Sequence, residues 1–249
     1  MSGHSKWASI KHQKGIADAR RGKLFTKLTR EIIVAVREGG GNPETNFRLR
    51  LAVQKARDNS MPLDNIERAI KKGSGSMEGE SMVELALVGY GPGGAAIMVQ
   101  ALTDNRNRTI QGVRNIFTKG GGSLGENGCV AWIFDLKGYI TVKTEDTDAD
   151  EIAMKAIDAG ADDVNTGEGY IEIYTSPEHL EGVRESLESD NIVVASAEQS
   201  MVPRNTVELD EKMALQTLKM LDKLEEIDEV QQVYSNADFS ETVLEKYQS

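Results

Sequence analysis

The sequence predicts a multidomain protein of the α and α+β classes, with an N-terminal three-helix domain followed by two α+β sandwich domains with antiparallel sheets. Two observations support this prediction. Apolar residues recur at helical spacing through the first 75 residues, and beyond them helical segments alternate with strand-like runs and glycine-rich turns. A chain of 249 residues is long enough for two or three domains, each with a buried core.

The first predicted helix lies in "GKLFTKLTREIIVAVREGGG", residues 22–41. Its apolar stripe includes Leu24, Leu28 and Ile32, and three consecutive glycines end it. Four cations recur at three-, four- and seven-residue steps nearly opposite the stripe, namely Lys23, Lys27, Arg30 and Arg37. We therefore expect one face of this helix to pack and the other to present a row of positive charge.

Two further helices complete the predicted N-terminal domain. Leu49, Ala52 and Ala56 indicate the second, and the third runs from Pro62, in its first turn, with Gly73 expected just past its end. The polar segment "GSGSMEGE" that follows is typical of a flexible linker. The first domain boundary is predicted there.

The rest of the chain mixes strands and helices. "VELALVGY" and "AAIMVQAL" around "GPGG" predict one hairpin, and "CVAWIF" and "YITVKT" around "DLKG" predict another. Further predicted strands are "GYIEIYT", "NIVVASAEQ" and "VQQVYS", and further predicted helices are "RTIQGVRNIFTK", "ADEIAMKAIDAG", a segment after Ser176-Pro177, and "LDEKMALQTLKMLDKLEEI". Helices covering one face of an antiparallel sheet are expected from this order.

Charge is distributed unevenly along the chain, whose formal net charge is -11. Residues 1–75 hold 16 Lys and Arg against 7 Asp and Glu, whereas the remaining residues hold 13 against 33. Such asymmetry indicates a polyanionic partner for the basic part. The alternative is that these charges serve only to keep the protein soluble and that the basic and acidic residues happen to lie in different parts of the chain.

Several classes of function are disfavoured. Cys129 is the single cysteine, and the three histidines show no paired spacing, so no metal site and no cofactor are expected. Gly89, Gly91 and Gly94 match the dinucleotide fingerprint, but a strand-like segment follows them where a helix is required. We predict a non-enzymatic, cytoplasmic protein with no membrane span.

The best candidate for a binding site is the opening segment "MSGHSKWASIKHQKGIADARRGK". Cations there can neutralise phosphates, and a flat ring can stack on an unpaired base. The candidate nucleic-acid contacts in this segment are His4, Lys6, Trp7, Lys11, His12, Lys14, Arg20, Arg21 and Lys23, continued along the first helix by Lys27, Arg30 and Arg37. The alternative is a solvated tail with Trp7 packed against the helical domain.

A second candidate lies at the entrance to a later helix, in "LTDNRNRT". Asn105, Arg106, Asn107 and Arg108 offer donors where a helix N-terminus readily binds phosphate. A capping loop whose polar side chains satisfy backbone groups explains the same residues equally well.

DNA and RNA are both open as targets. The connection "DNSMP" between the second and third helices has a length suitable for a helix-turn-helix. A recognition helix should present polar or basic side chains at its N-terminal end, but Asp64 and Glu67 stand there and would repel phosphates. An extended basic arm suits irregular RNA as well as DNA.

Six segments together resemble the YebC family: "GHSKWASIKHQKGIADARRGKLFTKLTREI", "RLRLAVQKARDNSMPLDNIERAIKKG", "GYGPGGAAI", "ALTDNRNRT", "GGGSLGENGCVAWIF" and "LEEIDEVQQVYSNADF". Bacterial members of that family are labelled probable transcriptional regulatory proteins, and mitochondrial relatives are translational activators. The resemblance implies three domains: 1–75, basic and helical; 80–128 with 204–239; and 129–203, acidic and inserted in the second.

The function expected on these grounds is regulation of gene expression through nucleic-acid binding, either as a DNA-binding transcriptional regulator or as a translation factor that binds ribosomal RNA. The acidic domains could meet the ribosome or a basic protein partner. A protein-interaction module that uses only the acidic domains remains a further alternative.

Overall fold

The computed structural model describes residues 18–75, 82–126, 128–144, 148–167 and 169–248. The helices in these residues are α1 (Asp18–Gly39), α2 (Phe47–Asp58), α3 (Leu63–Ser74), α4 (Arg106–Lys119), α5 (Ala149–Asp158), α6 (Leu180–Ser189), α7 (Glu211–Glu225) and α8 (Glu241–Gln248). The strands are β1 (Val83–Tyr90), β2 (Ala96–Thr103), β3 (Ser123–Leu124), β4 (Phe134–Lys143), β5 (Asp163–Gly167), β6 (Tyr170–Thr175), β7 (Val194–Pro203), β8 (Val207–Glu208), β9 (Val230–Ser235) and β10 (Ala237–Asp238). The predicted class, helical first and α+β afterwards, is confirmed.

The three N-terminal helices share one core. Leu28 and Ile32 of α1 are buried with Leu49 of α2 and Ile66 of α3. Gly73 was expected after the end of α3, and that prediction is wrong, because Gly73 lies within the helix. A Cβ atom there would lie 2.7 Å from Val36 Cβ, so glycine is needed for the close approach of α3 to α1.

A four-stranded antiparallel sheet of order β3-β1-β2-β9 forms the next layer. The hairpin predicted around "GPGG" is confirmed, with β1 paired to β2 from Val83↔Thr103 to Tyr90↔Ala96. Gly93 and Gly94 have φ of 71° and 81°, which explains the glycines of this turn. Helices α4, α7 and α8 bury their apolar side chains in one core with this sheet. Strand β9 pairs with β2 in this sheet, although strands β4 to β7, which form the second sheet, come before β9 in the sequence.

The second four-stranded antiparallel sheet has the order β5-β6-β4-β7, with α5 and α6 packed in its core. The predicted hairpin around "DLKG" is wrong, since residues 134–143 form one continuous strand. A Cβ atom at Gly138 would lie 2.2 Å from Thr175 Oγ1, so this glycine allows a close approach instead of a turn. Beside the two large sheets, the described residues contain one short parallel pair, β8 with β10.

The N-terminal helices pack against the α+β parts of the chain. α1 contacts the end of α7, and α2 contacts β7 of the second sheet. None of the helices in the described residues is long and apolar enough to span a membrane. We retain the division into 1–75, 80–128 with 204–239, and 129–203 as a proposal.

Candidate nucleic-acid interface

The opening arm falls largely outside the described residues. This applies to His4, Lys6, Trp7, Lys11, His12 and Lys14, which precede Asp18, where the structure begins. Arg20 and Arg21 belong to α1, but their side chains also lie outside the described part. The predicted contacts of this arm stay predictions.

The cationic row of α1 is positioned by the packing of the opposite face. Leu28, Ile32 and Ala35 are buried against α2 and α3, as their helical spacing predicts. Lys27 and Arg30 are consequently turned away from this core, where they are half-buried against another part of the chain. Arg37, in the last turn of α1, is exposed.

The first three cations of this row contact the C-terminal end of α7. They donate to backbone carbonyl oxygens, with Lys23 Nζ 3.2 Å from the oxygen of Glu226, Lys27 Nζ 2.7 Å from that of Glu225, and Arg30 Nη1 bonded to that of Asp228. The last carbonyls of a helix have no partner within the helix and carry the negative end of its dipole. Lys23 and Lys27 therefore cap α7, Arg30 binds the turn that follows it, and together the three cations hold α1 against the α+β part.

Sequence reasoning did not reveal this role for the row. The partners are main-chain oxygens about 200 residues away, with a separation of 198 residues for Lys27 and Glu225. The one signal available was the acidic segment "LEEIDE" at the end of a predicted helix, which suits cations for the same electrostatic reason.

The second candidate site surrounds the start of α4. Asn105 is its N-cap, and its side chain accepts a hydrogen bond of 3.0 Å from the backbone N–H of Arg108. The Arg108 guanidinium contacts Asp104 Oδ1 at 2.7 Å and Glu229 Oε1 at 2.9 Å, and these carboxylates raise its pKa. Asn105 and Arg108 therefore hold the local structure, as the capping interpretation predicts.

The remaining side chains of this site face solvent. Arg106 and Asn107 are exposed, and α4 carries no Asp or Glu along its length. An open depression runs along the helix past Asn107, Gln111 and Arg114. The sequence analysis did not predict Arg114 as an anion contact. The absence of Asp and Glu from this helix was the signal that could have indicated it. The arrangement offers amide and guanidinium donors to an anion without a nearby carboxylate on the same helix.

A junction of charged side chains fixes α2 to the second sheet. Lys55 Nζ lies 2.9 Å from Glu198 Oε2 of β7. Burial alone would lower the pKa of Lys55, but the carboxylates of Glu198 and Glu31 outweigh it and raise that pKa. Burial, with the charge of Glu198, also raises the pKa of the neighbouring Tyr234. Lys55 is thus a structural cation, committed to an ion pair.

The third helix does not have the charge pattern of a recognition helix for the major groove. Asp64 and Glu67 are exposed at its N-terminal end. Arg68 donates from Nε to the backbone oxygen of Asp64 at 3.1 Å and from Nη2 to Asn65 Oδ1 at 2.5 Å, so its guanidinium stays on its own helix.

In the part of the chain described here, no group of three or more His, Cys, Asp or Glu side chains is arranged to hold a metal ion.

These features define a class of protein: a basic helical region joined to two antiparallel α+β layers. The description "TACO1/YebC protein N-terminal domain" matches residues 5–76, and "TACO1/YebC second and third domain" matches residues 82–237. The chain belongs to the TACO1/YebC family, as its sequence motifs predict.

Curated relatives support the same assignment over the full length. A probable transcriptional regulatory protein of Dehalococcoides mccartyi is 62% identical over 249 residues, which cover 100% of this chain and 99% of the relative. One from Natranaerobius thermophilus is 52% identical over 248 residues, covering 98% and 99%. The crystal structure of a conserved hypothetical protein from Aquifex aeolicus is similar, with a TM-score of 0.84 and 52% identity over 90% of this chain and 93% of that one.

Proposed function

We propose that this protein is a non-enzymatic, cytoplasmic regulator of gene expression that binds the phosphate backbone of nucleic acid through residues 1–75. The observation that carries the proposal is the charge of this region, 16 basic against 7 acidic side chains, on a chain whose remainder holds 13 against 33. Phosphate contacts by lysine and arginine supply affinity without reading sequence.

The binding cations are assigned to the opening arm in preference to the whole basic region. Lys23, Lys27 and Arg30 contact the end of α7, and Lys55 is paired with Glu198. Lys6, Lys11 and Lys14 would then make the main phosphate contacts, with Trp7 stacking on an unpaired base. Arg106 and Asn107 at the exposed start of α4 would add secondary contacts.

DNA is the first candidate target, because curated relatives are named probable transcriptional regulatory proteins. Ribosomal RNA is the second, and a specific observation favours it. Asp64 and Glu67 are exposed at the start of α3, where a major-groove reader needs polar or basic side chains. A basic arm that follows a phosphate backbone does not need such a reader and suits irregular RNA.

Crosslinking in cells followed by sequencing of bound DNA and RNA distinguishes the two targets. Enrichment at promoters supports the transcriptional role, and enrichment on ribosomal RNA supports the translational one. A variant with Lys6, Lys11 and Lys14 changed to Ala should lose the enrichment, whereas a matched control with three exposed lysines outside the basic region, Lys143, Lys212 and Lys219, changed to Ala should keep it. Unchanged recovery with the first variant would contradict the proposed site.

A further inference from the structure

We propose that the outer face of α5 is a docking surface for a basic amphipathic helix of a partner protein. This surface lies apart from the proposed nucleic-acid contacts and adds a function to them. It is formed by Asp150, Met154, Ile157 and Asp158, and we call it the α5 stripe.

The α5 stripe follows from helix geometry. Its residues stand at positions i, i+4, i+7 and i+8, so they share one side of the helix over about 12 Å. The opposite side carries Ile152 and Ala156, which are buried in the core of the second sheet. The helix thus has an apolar side for its own core and a second apolar pair that its own fold leaves uncovered.

Exposure of the two apolar side chains is high. Met154 is 69% exposed and Ile157 is 49% exposed. Among the large apolar residues that the structure describes, Val193 at 77% is more exposed than Met154, and it belongs to the segment after α6. Exposed methionine gives an adaptable surface that suits helix docking.

The surroundings of the stripe define the charge of its partner. Residues 129–203 hold 17 Asp and Glu against 4 Lys and Arg. Lys155, the one cation of α5, is paired with Glu151 at 3.0 Å. An apolar pair with acids at both ends complements a helix that carries leucine-like side chains flanked by lysine or arginine. Nucleic acid is disfavoured as the occupant, because its phosphates would meet these carboxylates.

The test uses the full chain and two labelled peptides of about 18 residues, long enough to form a helix when bound. One peptide is a lysine–leucine amphipathic helix, and the other replaces each lysine with glutamate. Fluorescence anisotropy measures binding to the parent chain, to the double variant Met154→Gln/Ile157→Gln, and to Met213→Gln. Met213 is the matched control, since it is a partly exposed methionine on α7, 38% exposed.

The proposal expects the lysine peptide to bind the parent chain and the glutamate peptide not to bind. The double variant should bind the lysine peptide about tenfold or more weakly, since two apolar contacts are lost, and Met213→Gln should bind as the parent does. Equal binding by the double variant, or no binding by the parent, would overturn the proposal. Sedimentation showing a dimer that the double variant loses would also overturn it, because the occupant would then be a second copy of the chain.

Discussion

Lys27 of α1 donates a hydrogen bond of 2.7 Å to the backbone carbonyl oxygen of Glu225, at the last residue of α7. This contact joins the basic helical region to the α+β part at a helix end where a positive charge is favourable. Part of the basic region therefore has a structural task, and the proposed binding function shifts toward the arm that precedes α1.

Replacing Lys27 with Met should lower the free energy of unfolding by about 0.3–1 kcal/mol, the range for a cation at a helix C-terminus. The methylene stem is kept, so the change removes mainly the charge and the hydrogen bond. Urea denaturation followed by circular dichroism gives the difference. Lys219→Met, at an exposed position within α7, is the control and should leave stability close to that of the parent. Equal effects of the two changes would rule out the capping role of Lys27.

A double-mutant cycle on Lys55 and Glu198 measures the link between α2 and β7. Their side chains are 28% and 34% exposed, so the ion pair is partly shielded from water. We expect Lys55→Met, Glu198→Gln and the double variant to give a coupling energy between about 0.5 and 3 kcal/mol. The pair Lys246–Glu211, with both side chains 56% exposed, should give about 0–1 kcal/mol. A larger coupling for the exposed pair would contradict this ranking.

Stability should fall above about pH 10. Burial and the neighbouring Glu172 raise the pKa of Tyr139, and carboxylates raise the pKa of Lys55, from ordinary values of about 10 to 10.5. In that range the folded chain holds more protons than the unfolded chain, so the free energy of unfolding declines as pH rises. Below that range the contribution of these groups to stability is fully present and does not change with pH.

Urea denaturation between pH 9 and pH 11 checks this expectation. Tyr139→Phe should make the free energy of unfolding fall less steeply with pH, because the group that titrates only in the unfolded chain is removed. The slope should change by an amount that corresponds to at most about one bound proton. An identical decline for Tyr139→Phe and the parent would show that Tyr139 does not contribute.

Gly138 should resist substitution because of its place in the sheet. A Cβ atom there would lie 2.2 Å from Thr175 Oγ1 and 3.0 Å from Leu180 Cβ. We expect Gly138→Ala to cost about 1–3 kcal/mol, the range for inserting atoms into a packed site. Gly182, in α6, has open space around it, so Gly182→Ala should stabilise by about 0.5–1 kcal/mol. Thermal unfolding measures both, and tolerance of alanine at Gly138 would contradict the close packing.

Gly138 also shows where sequence patterns reach their limit. "DLKG" has the composition of a turn, yet the period-two alternation continues through it, and only the tertiary contact with Thr175 and Leu180 explains the glycine. Around "GPGG" the same type of signal was correct, since Gly93 and Gly94 do adopt positive φ. Local composition cannot distinguish a glycine that turns the chain from one that admits a neighbour.

In the candidate site, too, some features could be predicted from the sequence and others could not. The apolar stripe of α1 was predictable because a helical core face repeats locally. The partners of its cations were not predictable, because backbone carbonyls carry no sequence signature and lie at the far end of the chain. At α4, a capping loop and a phosphate site explained the sequence equally well. Asn105 caps the helix and the Arg108 guanidinium pairs with Asp104 and Glu229, while the use of Asn105, Arg106, Asn107 and Arg108 as nucleic-acid contacts stays a prediction.

The salt dependence of nucleic-acid binding by the full chain tests the central claim most directly. Affinities for duplex DNA and for structured RNA are measured over a series of salt concentrations, for the parent and for the variant with Lys6, Lys11 and Lys14 changed to Ala. Weaker binding to every sequence is predicted, with a log–log slope shallower by up to about 0.9 per lost contact on duplex DNA and about 0.7 on single strands. An unchanged slope, or a parent chain that binds neither polymer at low salt, would contradict the proposal.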